Sequence, residues 1–169
     1  MTPPAIPRRP WFSPRSLAIL AGALILCFGA ARLGAIATFP NLEPWYRGLE
    51  KPWFTPPDVA FPVAWTILFA LMAVAVWRVA LLSDGATRRG ALGAFAVQLA
   101  LNVGWSFAFF AAQSPLLGLI EIAALLAAIV WTIARFRPID GVAAALLCPY
   151  LAWVAFAAAL NAAILVLNA

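Results

Sequence analysis

Five apolar runs divide the chain, each about as long as a membrane crossing and each bounded by charge or proline: 17–38, 61–82, 91–112, 116–136 and 141–167. A helix needs about 20 apolar residues to span the hydrocarbon core. Backbone amides in lipid must bond within their own segment, so these runs predict helices, and none of them alternates as a strand would. The expected fold is an all-α integral membrane protein, a five-transmembrane-helix bundle formed by residues 17–169 as one domain. Residues 1–16 read as a Pro- and Arg-rich N-terminal extension. The run from Leu17 exceeds a signal-peptide core of about 7 to 15 residues and contains Arg32, so it reads as the first crossing.

The connections carry two further signals. Residues 39–60 form the one long loop and hold Pro40, Pro44, Pro52, Pro56 and Pro57, which restrict the backbone and suggest a shaped cap over one mouth of the bundle. Its Trp45 and Trp53 read equally well as aromatic anchors at the headgroup level. The other loops are short, which predicts antiparallel neighbours for helices two to five. With a cytoplasmic N-terminus, that side receives Arg8, Arg9, Arg15, Arg78, Arg88, Arg89, Arg135 and Arg137, against Arg32, Arg47 and Lys51 opposite. The positive-inside rule therefore predicts N-terminus in and C-terminus out.

Composition narrows the chemistry. The chain is 66% hydrophobic and 10% charged, far from soluble composition, and its net charge of +5 is scattered over segment ends without a patch suited to nucleic acid. There is no histidine, which removes the commonest metal ligand and general base, so no metal site is expected. Cys27 and Cys148 lack a CxxC or His context and read as small buried thiols rather than a disulfide.

The third run is the most patterned. At about 100° per residue, Gln98, Asn102 and Ser106 share one face that Phe109 and Gln113 continue. Amides facing lipid are costly, so this stripe points to a cavity or to partner helices. Ala96, Ala100 and Gly104 lie on nearly the opposite face and allow close helix packing or a homodimer seam. In the fifth run Trp153, Ala157 and Asn161 recur every four residues, a spacing that serves a slot for a flat ligand or a packed helix pair. Arg32 and Glu121 are ionisable residues within apolar runs and therefore functional candidates, although each lies near enough to a helix end to snorkel.

These pieces resemble the TspO/translocator protein family, the tryptophan-rich sensory proteins. The matching residues are Trp45-Tyr46, Leu49, Lys51-Pro52-Trp53 and Pro56-Pro57; then Trp65 with Met72; Gln98-Leu99, Asn102, Trp105-Ser106 and Phe109-Phe110; and Pro149-Tyr150-Leu151, Trp153, Phe156 and Leu160-Asn161. The resemblance implies a five-helix bundle, usually a homodimer, with a pocket closed by the loop after the first helix. It implies porphyrin or sterol-like ligands and synthetic benzodiazepine- or isoquinoline-type compounds. It puts Tyr46, Trp65, Asn102, Ser106, Trp153 and Ala157 at the family's pocket positions. Trp65 and Trp153 match tryptophans implicated in light-dependent breakdown of protoporphyrin by some bacterial relatives. One departure stands out: the sterol motif of the L-x-Y-x-R type is missing, because Ala162 and Ala163 follow Leu160-Asn161.

Porphyrin is a flat apolar ring with two propionates, for which Trp65, Trp153 and Phe61 offer stacking area and Asn102 and Tyr46 offer hydrogen bonds. Arg47 or Lys51 are the cations available to a propionate. The lack of a histidine ligand favours free-base porphyrin over haem. Three functions follow: a ligand-binding receptor or sensor regulating tetrapyrrole or stress metabolism; a transporter of porphyrin, sterol or another apolar metabolite; and a tryptophan-mediated, light-dependent breakdown of porphyrin. The missing acid–base machinery favours the receptor over an enzyme and implies no required cofactor. The transporter reading gains nothing from the pattern, which shows no inverted repeat and no paired broken helices. Expected partners are the small molecule, membrane lipid and a second copy of the chain. The helices fit a bacterial membrane, with inner or outer left open.

Overall fold

Apolar runs without internal breaks become helices wherever local chemistry supplies a start and a stop, and these signals set the observed boundaries. A computed structural model describes residues 11–169; Arg8, Arg9 and the first ten residues of the expected extension lie outside them. Helix α1 spans Pro14–Thr38, α2 Ala60–Leu82, α3 Gly85–Ser106, α4 Pro115–Phe136, α5 Gly141–Leu146 and α6 Cys148–Leu167. The α5–α6 pair makes one crossing, so the described residues form five apolar spans and no strand, and the chain is an all-α, multi-pass membrane bundle.

The starts are capped. Ser13 accepts a hydrogen bond from Ser16 N at 3.2 Å ahead of Pro14, and Ser114 does the same for Leu117 N at 3.2 Å ahead of Pro115. Each satisfies an orphan amide, and each proline occupies a first-turn position that needs no N–H. Asp140 accepts from Val142 N at 3.2 Å and starts α5.

Two elements depart from the apolar runs. Helix α3 begins at Gly85, ahead of Ala91, because Thr87, Arg88 and Arg89 form its polar first turns, and the Arg88 guanidinium folds back to the Ser83 carbonyl. At its other end α3 widens into a π-helical turn, Phe107–Ala111, which lets the adjacent Phe109 and Phe110 both be buried. The fifth crossing is interrupted at Leu147 because Pro149 has no N–H to continue the ladder.

Packing order differs from chain order. Helix α1 lies between α2 and α3, α4 lies between α3 and α6, and α5 closes the ring onto α2. Consecutive α2 and α3 are joined by a short turn yet pack less closely with each other than either does with α1. The core holds Met72, Phe95, Leu125, Ile129 and Tyr150, while Ile25, Ile36, Ile67, Ile120 and Val166 are exposed as residues that face lipid. Cys27 is buried as expected. Cys148 is exposed, correcting the expectation of a buried thiol: it stands on the outward side of the fifth crossing, and both thiols are free.

At one end of the bundle Trp11, Arg78 and Asp140 meet, with the Arg78 guanidinium 4.9 Å from the Trp11 ring and 2.5 Å from Asp140 Oδ2. The long loop covers the opposite end. These are called the basic end and the lid end below.

Candidate functional site

The lid is built from the proline-rich loop, and its own aromatic residues hold it down. Residues 39–46 descend from α1 as a tight 3-10 turn, Phe39–Asn41, and a wide π turn, Leu42–Tyr46, that is broken at Glu43, where the backbone is extended. Trp45 meets Phe109 edge-on at 5.4 Å, and Tyr46 meets Phe110 at 5.4 Å. Farther along, Glu50 N donates to Asn168 Oδ1 at 2.9 Å and Asn168 Nδ2 donates to Glu50 O at 3.0 Å, a reciprocal pair that ties the lid to the end of α6. Trp45 is thus part of the cap. Trp53 is 95% exposed and fits the alternative role of interfacial anchor.

Beneath the lid lies a cavity of about 930 Å³. The structure brings together on its wall all seven residues singled out for ligand contact: Tyr46 from the lid, Phe61 and Trp65 from α2, Asn102 and Ser106 from α3, and Trp153 and Ala157 from α6. Phe61 and Trp153 stand edge to face at 6.0 Å, and Trp65 packs on Phe69 at 5.5 Å and on Tyr150 at 6.2 Å. The rings therefore form two braced aromatic groups, Phe61 with Trp153 and Trp65 with Phe69 and Tyr150, that supply the apolar part of the wall.

The polar groups are few and mostly committed. Asn102 Nδ2 donates to the hydroxyl of Tyr150 at 3.1 Å, which leaves the side-chain oxygen as the available acceptor. Ser106 presses its hydroxyl on α1, where a Cβ at Gly34 would lie 3.0 Å from Ser106 Oγ. Asn161, also on the wall, is a structural joint. It accepts from Trp105 Nε1 at 3.3 Å and donates to Pro115 O at 2.7 Å, linking α6 to α3 and to the start of α4. Gln98 is buried below the cavity beside Met72 Sδ at 3.9 Å, and its Oε1 has no partner among the described residues. Gln113 leaves the stripe: it is exposed, in left-handed backbone at φ 50°, and donates to Asn41 Oδ1 at 3.2 Å.

The cations considered for a propionate line the mouth but are engaged. Arg47 pairs with Glu43 at 2.6 Å, and Lys51 Nζ donates to Leu49 O at 3.1 Å and stands 4.7 Å from the Tyr46 ring. The Arg47 pair is solvent-exposed and holds the side chain only weakly. Arg32 is exposed on α1. Glu121 reaches across to α3, its Oε1 2.7 Å from where a Cβ at Gly104 would lie. Of the small-residue stripe, Gly104 therefore serves packing of α3 on α4, while Ala96 and Ala100 are exposed on the outer surface of the single chain.

Helix α1 supplies a wall that the sequence reading did not assign. Phe28, Ala31, Gly34, Ala35 and Thr38 all face the cavity. The available signal was the run of small residues in its second half, Gly29, Ala30, Ala31, Gly34, Ala35 and Ala37, which leaves room beside the helix.

Five apolar crossings, a cavity lined by aromatic rings and a lid fastened over it define a class: small helical membrane proteins built around a lidded apolar chamber. The chain belongs to the TspO/MBR family, whose model matches residues 21–167. It is 41% identical to the tryptophan-rich protein TspO of Chlorobaculum tepidum over 157 residues, covering 91% of this chain and 98% of that one. It is 40% identical to the tryptophan-rich protein TspO of Archaeoglobus fulgidus over 148 residues, 86% of this chain and 92% of that one. It is also 34% identical to the human translocator protein over 119 residues, 69% of this chain and 70% of that one.

Proposed function

We propose that this chain is a membrane receptor that binds a flat apolar ring of the porphyrin type, such as protoporphyrin IX, in its lidded cavity, and that occupancy regulates tetrapyrrole or stress metabolism. The observation that carries this reading is the convergence of Trp65, Trp153 and Asn102, from three helices, on one chamber of about 930 Å³. That volume lies in the range of small-molecule sites, which run to roughly 1,000 Å³. Asn102 commits one of its two amide N–H groups to Tyr150 and keeps its side-chain oxygen as an acceptor, which suits a free-base ring with its N–H groups better than a metallated one. Arg47 can exchange its exposed partner Glu43 for a propionate at little cost.

Protein in nanodiscs titrated with micromolar protoporphyrin IX tests this. Saturable quenching of tryptophan fluorescence is expected, and Asn102→Leu should weaken it about tenfold through loss of one hydrogen bond. Linear, non-saturating quenching equal to that of empty nanodiscs with free tryptophan added would remove the reading.

Both tryptophans at the wall also support a second reading, breakdown of the bound porphyrin under light with dioxygen as the oxidant: the excited ring takes an electron from an indole without a metal and passes it to dioxygen, so that dioxygen is reduced as the ring is oxidised. Trp65→Phe and Trp153→Phe should then each slow bleaching, and unchanged kinetics in both would remove it. For the assembly we propose a homodimer packed through Ala96 and Ala100, whose small side chains four apart permit close helix approach. Ala100→Phe should shift the detergent-solubilised protein to monomer in light-scattering measurements.

A further inference from the structure

We propose that the ligand reaches the cavity sideways, from the hydrocarbon of the bilayer, through a slot between the lid-end halves of α1 and α2; this rests on the reading of the cavity as a binding site. The exposure of the wall locates the opening. Every cavity residue contributed by α3 and α6 is buried or half-buried, including Asn102, Ser106, Trp153 and Leu160. Below the lid the exposed ones belong to α1 and α2: Phe28 at 40%, and Pro62 and Thr66. Phe28, Ala31, Ala35 and Thr38 recur every three or four residues along α1, and Pro62, Thr66 and Phe69 do so along α2, so each helix presents one edge to the same gap. At 1.5 Å per residue the edges run about 12 to 16 Å from the lid end toward the middle of the membrane. The slot closes where Phe28 and Phe69 approach at 6.4 Å.

The chemistry of the rim suits an apolar passenger. The hydroxyl of Thr38 donates to Gly34 O at 3.0 Å and that of Thr66 to Pro62 O at 2.7 Å. Both are satisfied by their own helix and need nothing from lipid or ligand.

The fastenings are unequal. At the basic end Trp77 Nε1 of α2 donates to Ser16 O at 3.0 Å and Ser16 Oγ at 3.1 Å, joining the two helices. Among the described residues no side-chain hydrogen bond joins their lid-end halves, so hydrogen bonding pins the pair at the basic end alone. The route from water is the tighter one. Lifting the lid breaks both Glu50–Asn168 hydrogen bonds and pulls Trp45 and Tyr46 off Phe109 and Phe110. An apolar ring dissolved in the bilayer meets the slot directly and need not return to water, where its surface is unfavourable.

Stopped-flow quenching by protoporphyrin IX in nanodiscs tests the route, with equilibrium titration alongside. Thr66→Phe and Ala35→Phe, one on each edge, should slow association and dissociation together by about tenfold, while the equilibrium titration reads separately the change in affinity that the altered cavity wall brings. Thr66→Ala, which widens the slot without adding volume, should speed both rates, and Asn168→Ala, which loosens the lid, should leave them unchanged. Rates indifferent to all slot variants but raised by Asn168→Ala would overturn the lateral route and leave the cavity as a binding site. No saturable binding by the unaltered protein would overturn the cavity reading and the route with it.

Discussion

Gly118 on α4 sits where two fixed side chains meet, and it cannot grow by one carbon without moving one of them. A Cβ there would lie 2.7 Å from Asn161 Oδ1, 2.8 Å from Phe109 Cδ2 and 3.0 Å from Phe109 Cβ. Asn161 is held by Trp105 and by the Pro115 carbonyl, and Phe109 lies buried between Trp45 and Trp105, so neither yields cheaply. Gly118→Ala should therefore destabilise the protein by about 1–3 kcal/mol, the usual cost of overpacking. Gly93→Ala, where nothing lies within 4 Å, should be neutral or gain up to about 1 kcal/mol of helix propensity. Denaturation of both variants in mild detergent measures the contrast, and equal stability would refute the packing argument. The same scale explains which residues the sequence made visible. Asn102 stood out because an amide in an apolar run is expensive unless it turns inward, and Trp65 and Trp153 stood out through their motif. Ala31, Gly34 and Ala35 have no chemistry of their own, and their place on the cavity wall depends on how α1 is rotated in the bundle. The engagement of Lys51 by backbone carbonyls depends likewise on a loop conformation that no local pattern encodes.

At the scale of elements, the basic end is organised by one ion pair. Arg78 of α2 donates through Nε to Asp140 Oδ2 at 2.5 Å, and Asp140 also caps α5, so one carboxylate joins two crossings. The Arg78 hydrogen bond holds the Asp140 carboxyl below the usual carboxylate range, its charge and the backbone N–H groups of Val142 and Ala143 adding to the effect against some desolvation. A pKa lowered by folding means that the folded state favours the ionised form. Its contribution is fully present above the unfolded value of about 4 and is lost as pH falls through the folded one. Asp140→Asn should cost about 1–3 kcal/mol at neutral pH, the range for a hydrogen bond to a charged group. It should also flatten the fall in stability between about pH 4 and lower values, where the carboxylate protonates. Melting temperatures across that acid range decide the matter: parallel curves for both proteins would show that the pair does not couple to folding. The elements themselves were largely legible, because five apolar runs in lipid leave the backbone no alternative to helix. Their edges were less so. The first turns of α3 are polar and invisible to hydropathy, and the wide turn at Phe107–Ala111 answers to the packing of Phe109 and Phe110 rather than to local propensity.

For the whole molecule, charge distribution predicts orientation. Trp11 and Asp140 gather at Arg78, and Arg135 Nη1 lies 3.8 Å from where a Cβ at Gly90 would project, so α2, α3, α4 and the N-terminal segment share the basic end. Arg88 and Arg89 stand in the first turns of α3, and Arg137 follows α4, all at that same end. The lid end has Arg47 and Lys51 in its loop and Arg32 within α1, where the Arg47 charge is offset by Glu43 and the lid also carries Glu50 and Asp58. Moving a basic side chain through the bilayer centre costs about 3 kcal/mol on insertion scales, so the end richer in arginine stays on the side of synthesis. An odd number of crossings then puts the C-terminus, and with it the lid, on the far side. A C-terminal alkaline phosphatase fusion should be active and a C-terminal green fluorescent protein fusion dark, with the reverse for a reporter placed between Leu82 and Gly85. Replacing Arg88, Arg89, Arg135 and Arg137 by Gln removes the bias of the short loops while leaving the Arg78–Asp140 pair intact, and should give a mixed population with both reporters partly active. A phosphatase fusion silent in the unaltered protein would reverse the orientation and turn the lid toward the cytoplasm. The slot between α1 and α2 would keep its place in the hydrocarbon either way, because its position depends on the bundle and not on which face looks in.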